Sequence, residues 1–409
     1  MTLLYDSDNK KQGEKEMTTL LVIIYISFIS LGLPDSILGS IWPQMQMDLN
    51  AGLSLAGYIS MTITAGTVLS SVMADRMVRK FGVGKVTAVS VLMTAAALAG
   101  FSLVPNALCL FLCAIPLGLG AGTVDVALNN FVALHYEAKH MSWLHCFWGI
   151  GASAGPVIVS VTLSMGQSWR MGYGVISALQ IALCIALFCG VPLWRQTEEK
   201  ENTVEEKKNE QGSVTAALKQ RGVLPILGGF IFYCALETTG GLWGATFIHN
   251  SFHITASDAA LTSSLYFGAL TVGRLLSGFA ASYLSDKTMI RAGLVISGAG
   301  LLLTLAAETA WLAMAGIAVV GLGLAPVYPS MLHATPNYFA AERSQQIMGL
   351  EMAFAYVGST CFPPLFGTLT GWLGVGFYPV YLIIWVAAAL LSTEITNKTF
   401  ESQKNDSKS

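Results

Sequence analysis

The sequence predicts an all-α integral membrane protein with twelve transmembrane helices in two six-helix bundles. Three observations carry this expectation. The composition is too poor in charge for a water-covered surface, twelve apolar runs reach spanning length, and one half of the chain repeats the other. Of 409 residues, 54% are hydrophobic and 11% charged, against ~25% charged in a soluble domain. That excludes an ordinary soluble enzyme, a disordered chain and a secreted disulfide scaffold. The net charge of -2 leaves no basic footprint for nucleic acid. The seven cysteines, Cys109, Cys113, Cys146, Cys184, Cys189, Cys234 and Cys361, all lie in apolar segments and form no CxxC. They read as small buried hydrophobes rather than disulfides or metal ligands.

A bilayer core needs about 20 apolar residues per helix. The runs fall at 18–46, 52–74, 84–104, 107–132, 141–165, 173–194, 223–249, 257–281, 289–307, 310–335, 344–371 and 376–395. The first carries Pro34 and Asp35 and no small-residue cleavage site, so it reads as a retained span and not a signal peptide. The expected organisation is a cytoplasmic tail at 1–17, a six-helix bundle at 18–194, a solvated linker at 195–222, a second bundle at 223–395 and a tail at 396–409. With both termini in the cytoplasm, 20 of the 22 Lys and Arg residues fall on that side, which sets the orientation. The expected location is the plasma (inner) membrane. Of the other two cations, Arg170 lies outside and Arg274 within the eighth span.

The two halves match at an offset of 203 to 207. GLGAGTVDVALNN from Gly118 parallels GLGLAPVYPSMLH from Gly321. Gly151 and Pro156 parallel Gly358 and Pro363, Gly66 parallels Gly273, and Lys80 parallels Lys287. Two parallel six-span repeats imply a secondary transporter with substrate near the midplane. The architecture resembles the major facilitator superfamily over 18–395. The loop after span 2 is similar to its signature, Gly-x-x-x-Asp-Arg-x-x-Arg-Lys, with Ser71, Asp75, Arg76, Arg79 and Lys80 here. Trp169-Arg170 resembles another of its frequent features. The second-half copy has Ser282 for Asp75 and Asp286 for Arg79. The resemblance implies that Asp75 meets the positive end of span 11, near Ser344, when the cytoplasmic side is closed. Arg76, Arg79 and Lys80 would add pairs between the bundles; the competing reading is positive-inside charge alone.

A charge at mid-bilayer costs ~2.5–3.5 kcal/mol on insertion scales, which makes each intramembrane ionisable residue a functional candidate. There are five: Asp35, Asp125, Glu237, Arg274 and Glu351. Asp125 lies deep in span 4 with Asn129 one turn on. A carboxyl group buried without a fixed cation can hold and release a proton; the competing reading is an ion pair or hydrogen-bonded glue. Asp35 follows Gly32 and Pro34, which loosen the helix, and broken backbone at membrane depth is tolerated where it lines a cavity. Gln44 and Gln46 would continue that wall. Glu237 precedes Gly240 and Gly241, which suggest a flexible, discontinuous seventh span. Trp243 there reads as a platform for a sugar ring, or as an interface anchor or packing. Arg274 and Glu351 read as gate residues, with a mutual ion pair one option. His145, between Trp143 and Trp148, begins span 5 as a polar–aromatic patch, or as an exposed helix-end residue.

Asp125-Val-Ala-Leu-Asn129-Asn-Phe131-Val132 resembles the fucose permease group, proton symporters of fucose, galactose and glucose. In that group the acid is tied to proton coupling and the Asn to the sugar. Cys146-Phe147-Trp148-Gly149-Ile150-Gly151-Ala152 resembles its fifth span, where a Gln stands at the position of His145. Pro43-Gln44-Met45-Gln46 is similar to its Pro-Gln-x-Gln. Asp35 lies eight residues before Pro43, about a turn further than in the group, and Asn130 replaces a Pro. The resemblance implies Asp125 in proton coupling and Asn129 at the sugar; together with the residue readings above, Asp35 is expected to share the proton coupling and Gln44, Glu237, Trp243 and His145 to line the substrate site.

The leading expectation is a proton-coupled symporter of a monosaccharide or similar polar metabolite, with Na+ as the other candidate ion. The alternative is proton-coupled efflux of drugs or hydrophobic metabolites. A receptor or lipid scramblase fits the duplicated midplane acids less well. No HExxH, GxSxG or Walker A motif occurs, so neither an enzyme nor ATP-driven transport is expected. No metal or cofactor is expected either; the partners are substrate, coupling ion and lipid.

Overall fold

The computed structural model describes residues 2–136, 138–198, 218–339 and 341–406. Most of the expected linker, 199–217, lies outside them. All regular structure among the described residues is helical. In order the helices are α1 (Thr2–Asp35), α2 (Ile37–Asp48), α3 (Leu55–Phe81), α4 (Val83–Leu103), α5 (Cys109–His135), α6 (Ala138–Ser164) and α7 (Trp169–Glu198). There follow α8 (Val223–Phe252), α9 (Ala256–Ala280), α10 (Asp286–Leu305), α11 (Ala310–Leu324), α12 (Val327–Tyr338), α13 (Ala341–Leu373) and α14 (Tyr378–Asp406). Among the described residues eleven spans are long and apolar enough to cross a membrane, with α1–α2 and α11–α12 each counting as one. The twelfth expected span is α13, 33 residues long with Glu351, Pro363 and Pro364 inside it. The fold is that of a twelve-span, all-α membrane protein.

Proline explains where spans break. Pro34 lies in the last turn of α1, and the chain resumes as α2 after Ser36. Proline lacks an N–H and crowds the carbonyl one turn back. This is the break expected at Gly32–Pro34. A second break, between α11 and α12 at Ala325–Pro326, follows the same rule. The break expected at Gly240–Gly241 does not occur, because α8 runs through both glycines. There the missing side chains admit neighbours. Tyr378 Oη donates to Gly240 O at 2.9 Å, and a Cβ at Gly241 would meet Phe267 at 2.8 Å.

The chain divides into two compact units. One comprises Met1–Asp35, Ala65–Ala152 and Arg170–Lys207. Its core joins Leu20, Ile24 and Phe28 of α1, Val124, Leu128 and Phe131 of α5, and Leu183 and Trp194 of α7. Buried Gln180 stitches three helices: its Nε2 donates to Ser30 O at 2.8 Å, and Thr94 donates to its Oε1 at 2.6 Å. Arg170 donates to Val104 O at 2.6 Å, a cation at the carbonyl end of α4.

In this unit α1 and α6 touch backbone to backbone. A Cβ at Gly32 would collide with Trp148 O, and one at Gly151 with Ile29 O. Gly151→Val is therefore expected to lower stability by ~1–3 kcal/mol through overpacking. Gly174→Ala, with nothing within 4 Å, should leave stability near wild type. Thermal unfolding in detergent checks the contrast.

The second unit comprises Ser36–Thr64, Ser153–Trp169 and Lys208–Ser409. Here α2 and the start of α3 pack with helices of the second half. Gly39 abuts Gly241 and Leu242, Gly57 abuts Pro364, and Gly367 abuts Ser54. The Tyr58 and Thr368 hydroxyls are 3.0 Å apart, and Trp169 Nε1 donates to Asp48 Oδ2 at 2.8 Å. Side chains of Thr255, Ser285 and Thr309 cap α9, α10 and α11. All seven cysteines are free, and Cys189 and Cys361 are exposed rather than buried. In a membrane-spanning helix, exposure from the protein does not require a polar neighbour.

Candidate functional site

In the first unit the close α1–α6 contact carries Trp148 to the end of α1. Its Nε1 donates to Asp35 Oδ2 at 2.8 Å. Asp35 is the last residue of the broken helix. Its side chain keeps exposed surface there. Asp125 of α5 is half-buried and within electrostatic range of Asp35. Asn129 is on Asp125's face, as four-residue helical spacing requires. Its Nδ2 donates to Asp125 Oδ1 and to Asp125 O, each at 2.9 Å. Among the described residues, neither carboxylate forms an ion pair. His145 is exposed, one turn before Trp148, with its ring edge-on to Phe28 at 6.2 Å.

Sequence reading puts Trp148 in the aromatic patch around His145 and gives it no role beside Asp35. The sequence places it three residues after His145 and three before Gly151, on the face of α6 that meets α1. Only the contact itself showed that its indole reaches Asp35.

In the second unit Glu237 and Arg274 form an ion pair, Nη2 to Oε1 at 3.1 Å, with side chains 19% and 20% exposed. This corrects the option that Arg274 pairs with Glu351. Tyr266 Oη donates to Glu237 O at 2.9 Å. Glu351 instead accepts from Thr335 Oγ1 at 2.6 Å and is fully buried. Trp243 corrects the expectation of an open sugar platform. Its ring is fully buried, its Nε1 donates to Pro363 O at 2.9 Å, and Gly367 lies against it. Gln44 is half-buried on α2, in this unit.

The signature residues lie at the exposed end of α3. Asp75 and Arg79 pair at 2.5 Å one turn apart, 62% and 60% exposed. Lys80 sits 5.2 Å from the Phe81 ring centre, and Arg76 is exposed. The described partner of Asp75 is thus on its own helix. In the second copy, Lys287 pairs with Glu401, Arg291 with Glu394, and Asp286 with His333 at 2.9 Å. No cluster of metal-ligating side chains occurs among the described residues.

The geometry is that of a duplicated membrane transporter, and comparison with known proteins agrees. The chain is 22% identical over 359 residues to the glucose/mannose transporter GlcP of Bacillus subtilis, covering 84% of this chain and 86% of that one. It is 24% identical over 391 residues to the class E tetracycline resistance protein of Escherichia coli, covering 89% and 93%. Among solved structures, the nucleoside transporter NupG superposes with a TM-score of 0.76 at 14% identity, over 94% of this chain and 99% of that one. These likenesses point to transport of a small molecule across a membrane and not to an enzyme. The profile of the Major Facilitator Superfamily matches residues 24–239 and 225–405, and the chain belongs to that superfamily.

Proposed function

We propose that this transporter moves a monosaccharide or similar polar metabolite by proton-coupled symport. The observation that carries the reading is the pair of acids in the first unit. Asp35 keeps exposed surface at the end of the broken helix, Asp125 lies within its electrostatic range, and neither has a cationic partner among the described residues. Two such carboxylates cannot both be ionised cheaply, so one of them holds a proton when the site is dry. Asn129 and His145 flank them with groups able to bond hydroxyls. The likeness to GlcP supports a sugar. In this reading the membrane is the plasma membrane and both termini are cytoplasmic, following the lysine and arginine bias. The bundles at 18–194 and 223–395 rock about the site. Asp75, Arg76, Arg79 and Lys80 latch the cytoplasmic side, and the buried contacts of Trp243, Gly57 and Gly367 seal the other.

The test is uptake of radiolabelled glucose and fucose into proteoliposomes with an imposed pH gradient, then with a sodium gradient. Accumulation driven by the pH gradient alone is expected. Accumulation driven only by sodium would replace the proton. A second reading, proton-coupled efflux, is favoured by the likeness to the tetracycline resistance protein. Counterflow screened against sugars and cationic dyes separates the two: sugars alone should exchange.

Trp243→Ala should open a hole against Pro363 and Gly367 and cost ~3–5 kcal/mol. Trp243→Phe should retain most of the stability while raising substrate leak, because the bond to Pro363 O is lost. Passive efflux from loaded vesicles reads the leak.

A further inference from the structure

We propose that Glu351 is a second proton-binding site, in the second unit and separate from Asp35 and Asp125. The proposal rests on the reading of the chain as a proton-coupled transporter, but its own evidence is local. Glu351 is 0% exposed. Its Oε1 lies 2.6 Å from Thr335 Oγ1, and its Oε2 has no hydrogen-bond partner among the described residues. Among those residues it forms no ion pair. An ionised carboxylate so placed is costly.

Thr335 makes both protonation states bondable. Its Oγ1 also lies 3.3 Å from Met331 O. When Glu351 is ionised, the hydroxyl donates to Oε1. When Glu351 is neutral, the acid O–H donates to Thr335 Oγ1, and the hydroxyl turns to donate to Met331 O. A single-hydrogen hydroxyl with two acceptors in reach is suited to a carboxyl that changes charge. The same Thr335 lines a cavity of about 30 Å³ bounded by Ile290, Met331, Tyr338, Thr396 and Asn397, roomy enough for water by the ~10–15 Å³ criterion. Its wall is polar. Tyr338 Oη donates to Asn397 Oδ1 at 3.3 Å, and Asn397 Nδ2 has no described partner. A hydronium ion in this cavity gives its proton to Thr335 Oγ1, which passes its own proton to Oε1. Water is left behind and Glu351 is neutral; release is the reverse.

Among the described residues none gives Glu351 a fixed counter-charge. From α12, Tyr328 stands within electrostatic range of Glu351, and also of Cys234 and Glu237 on α8 and Tyr356 on α13. Glu237 is already matched by Arg274. Ile347, Leu350 and Phe354 of its own helix join an apolar cluster with Val223 and Leu227 of α8.

Infrared spectroscopy of the purified protein in lipid, through a pH titration, reads this group directly. Wild type should show a protonated-carboxyl carbonyl band that fades on alkalinisation. Glu351→Gln should lose that band, while Asp35→Asn and Asp125→Asn should each keep it. Thr335→Val, which leaves the carboxyl in place, should shift the band's frequency and midpoint, and Thr335→Ser should restore both. Superimposable wild-type and Glu351→Gln spectra would overturn the proposal. If Glu351→Gln does not fold, an unshifted band in Thr335→Val overturns it. Gradient-driven uptake by Asp125→Asn would defeat the functional reading without touching this band.

Discussion

Replacing Asp125 by Asn is expected to abolish gradient-driven accumulation of substrate while leaving exchange intact. Asn keeps an oxygen where Asn129 Nδ2 donates at 2.9 Å, so the fold and the sugar contacts survive. It cannot change charge, so the link between proton and sugar is lost. One proton moved across one pH unit is worth ~1.4 kcal/mol, so a one-to-one symporter accumulates about tenfold per unit of imposed gradient. Wild type should approach that ratio, and Asp125→Asn should stop at equal concentrations on both sides. Sugar counterflow by the variant should stay near wild type. Asp35→Asn should behave alike, since its oxygen still accepts from Trp148. The double variant should be no worse than either single, because groups that act as one unit are not additive. Accumulation by Asp125→Asn at the wild-type ratio would remove Asp125 from proton coupling.

Glu237→Gln is expected to have the largest effect on stability. Glu237 and Arg274 are about four-fifths buried, and removing one partner of a buried pair strands the other charge at a cost of ~3–5 kcal/mol. Arg274→Met should cost a similar amount. The double variant Glu237→Gln/Arg274→Met should recover most of the loss, because no charge is then left uncompensated. The exposed Asp75–Arg79 pair is the contrast: Asp75→Asn should change stability by less than ~1 kcal/mol. Thermal unfolding of the four variants checks this. Glu237→Gln unfolding with wild type would mean that Arg274 is satisfied without Glu237.

Much of the fold was legible because membrane burial writes itself into composition. Apolar runs, the lysine and arginine bias and the glycine–proline repeat are one-dimensional signals of a three-dimensional constraint. The break beside Asp35 was readable from Pro34. The break beside Pro326 follows the same rule, but it sits in an unbroken apolar run where hydropathy gives no warning. Gly240 and Gly241 misled in the opposite direction. Glycine in a membrane helix marks either weakness or close approach, and only neighbours such as Phe267 decide which.

Within the candidate site, what lay on one helix was legible and what crossed helices was not. The four-residue spacing of Asp125 and Asn129 predicts their bond. The bonds of Arg274 to Glu237, Glu351 to Thr335 and Trp148 to Asp35 span 37, 16 and 113 positions. Nothing in a single sequence sets which helices adjoin. Trp243 shows the same limit: an aromatic near a carboxylate in sequence turned its face to Phe366, Pro363 and Gly367.

The most direct measurement is the pH change caused by sugar itself. In lightly buffered, oriented proteoliposomes with no imposed gradient, adding substrate outside should make the external medium more alkaline, as protons enter with sugar. Asp35→Asn and Asp125→Asn should give no such change while still exchanging sugar. An external pH that stays constant during wild-type uptake, or that becomes more acidic, would contradict proton symport through the two acids.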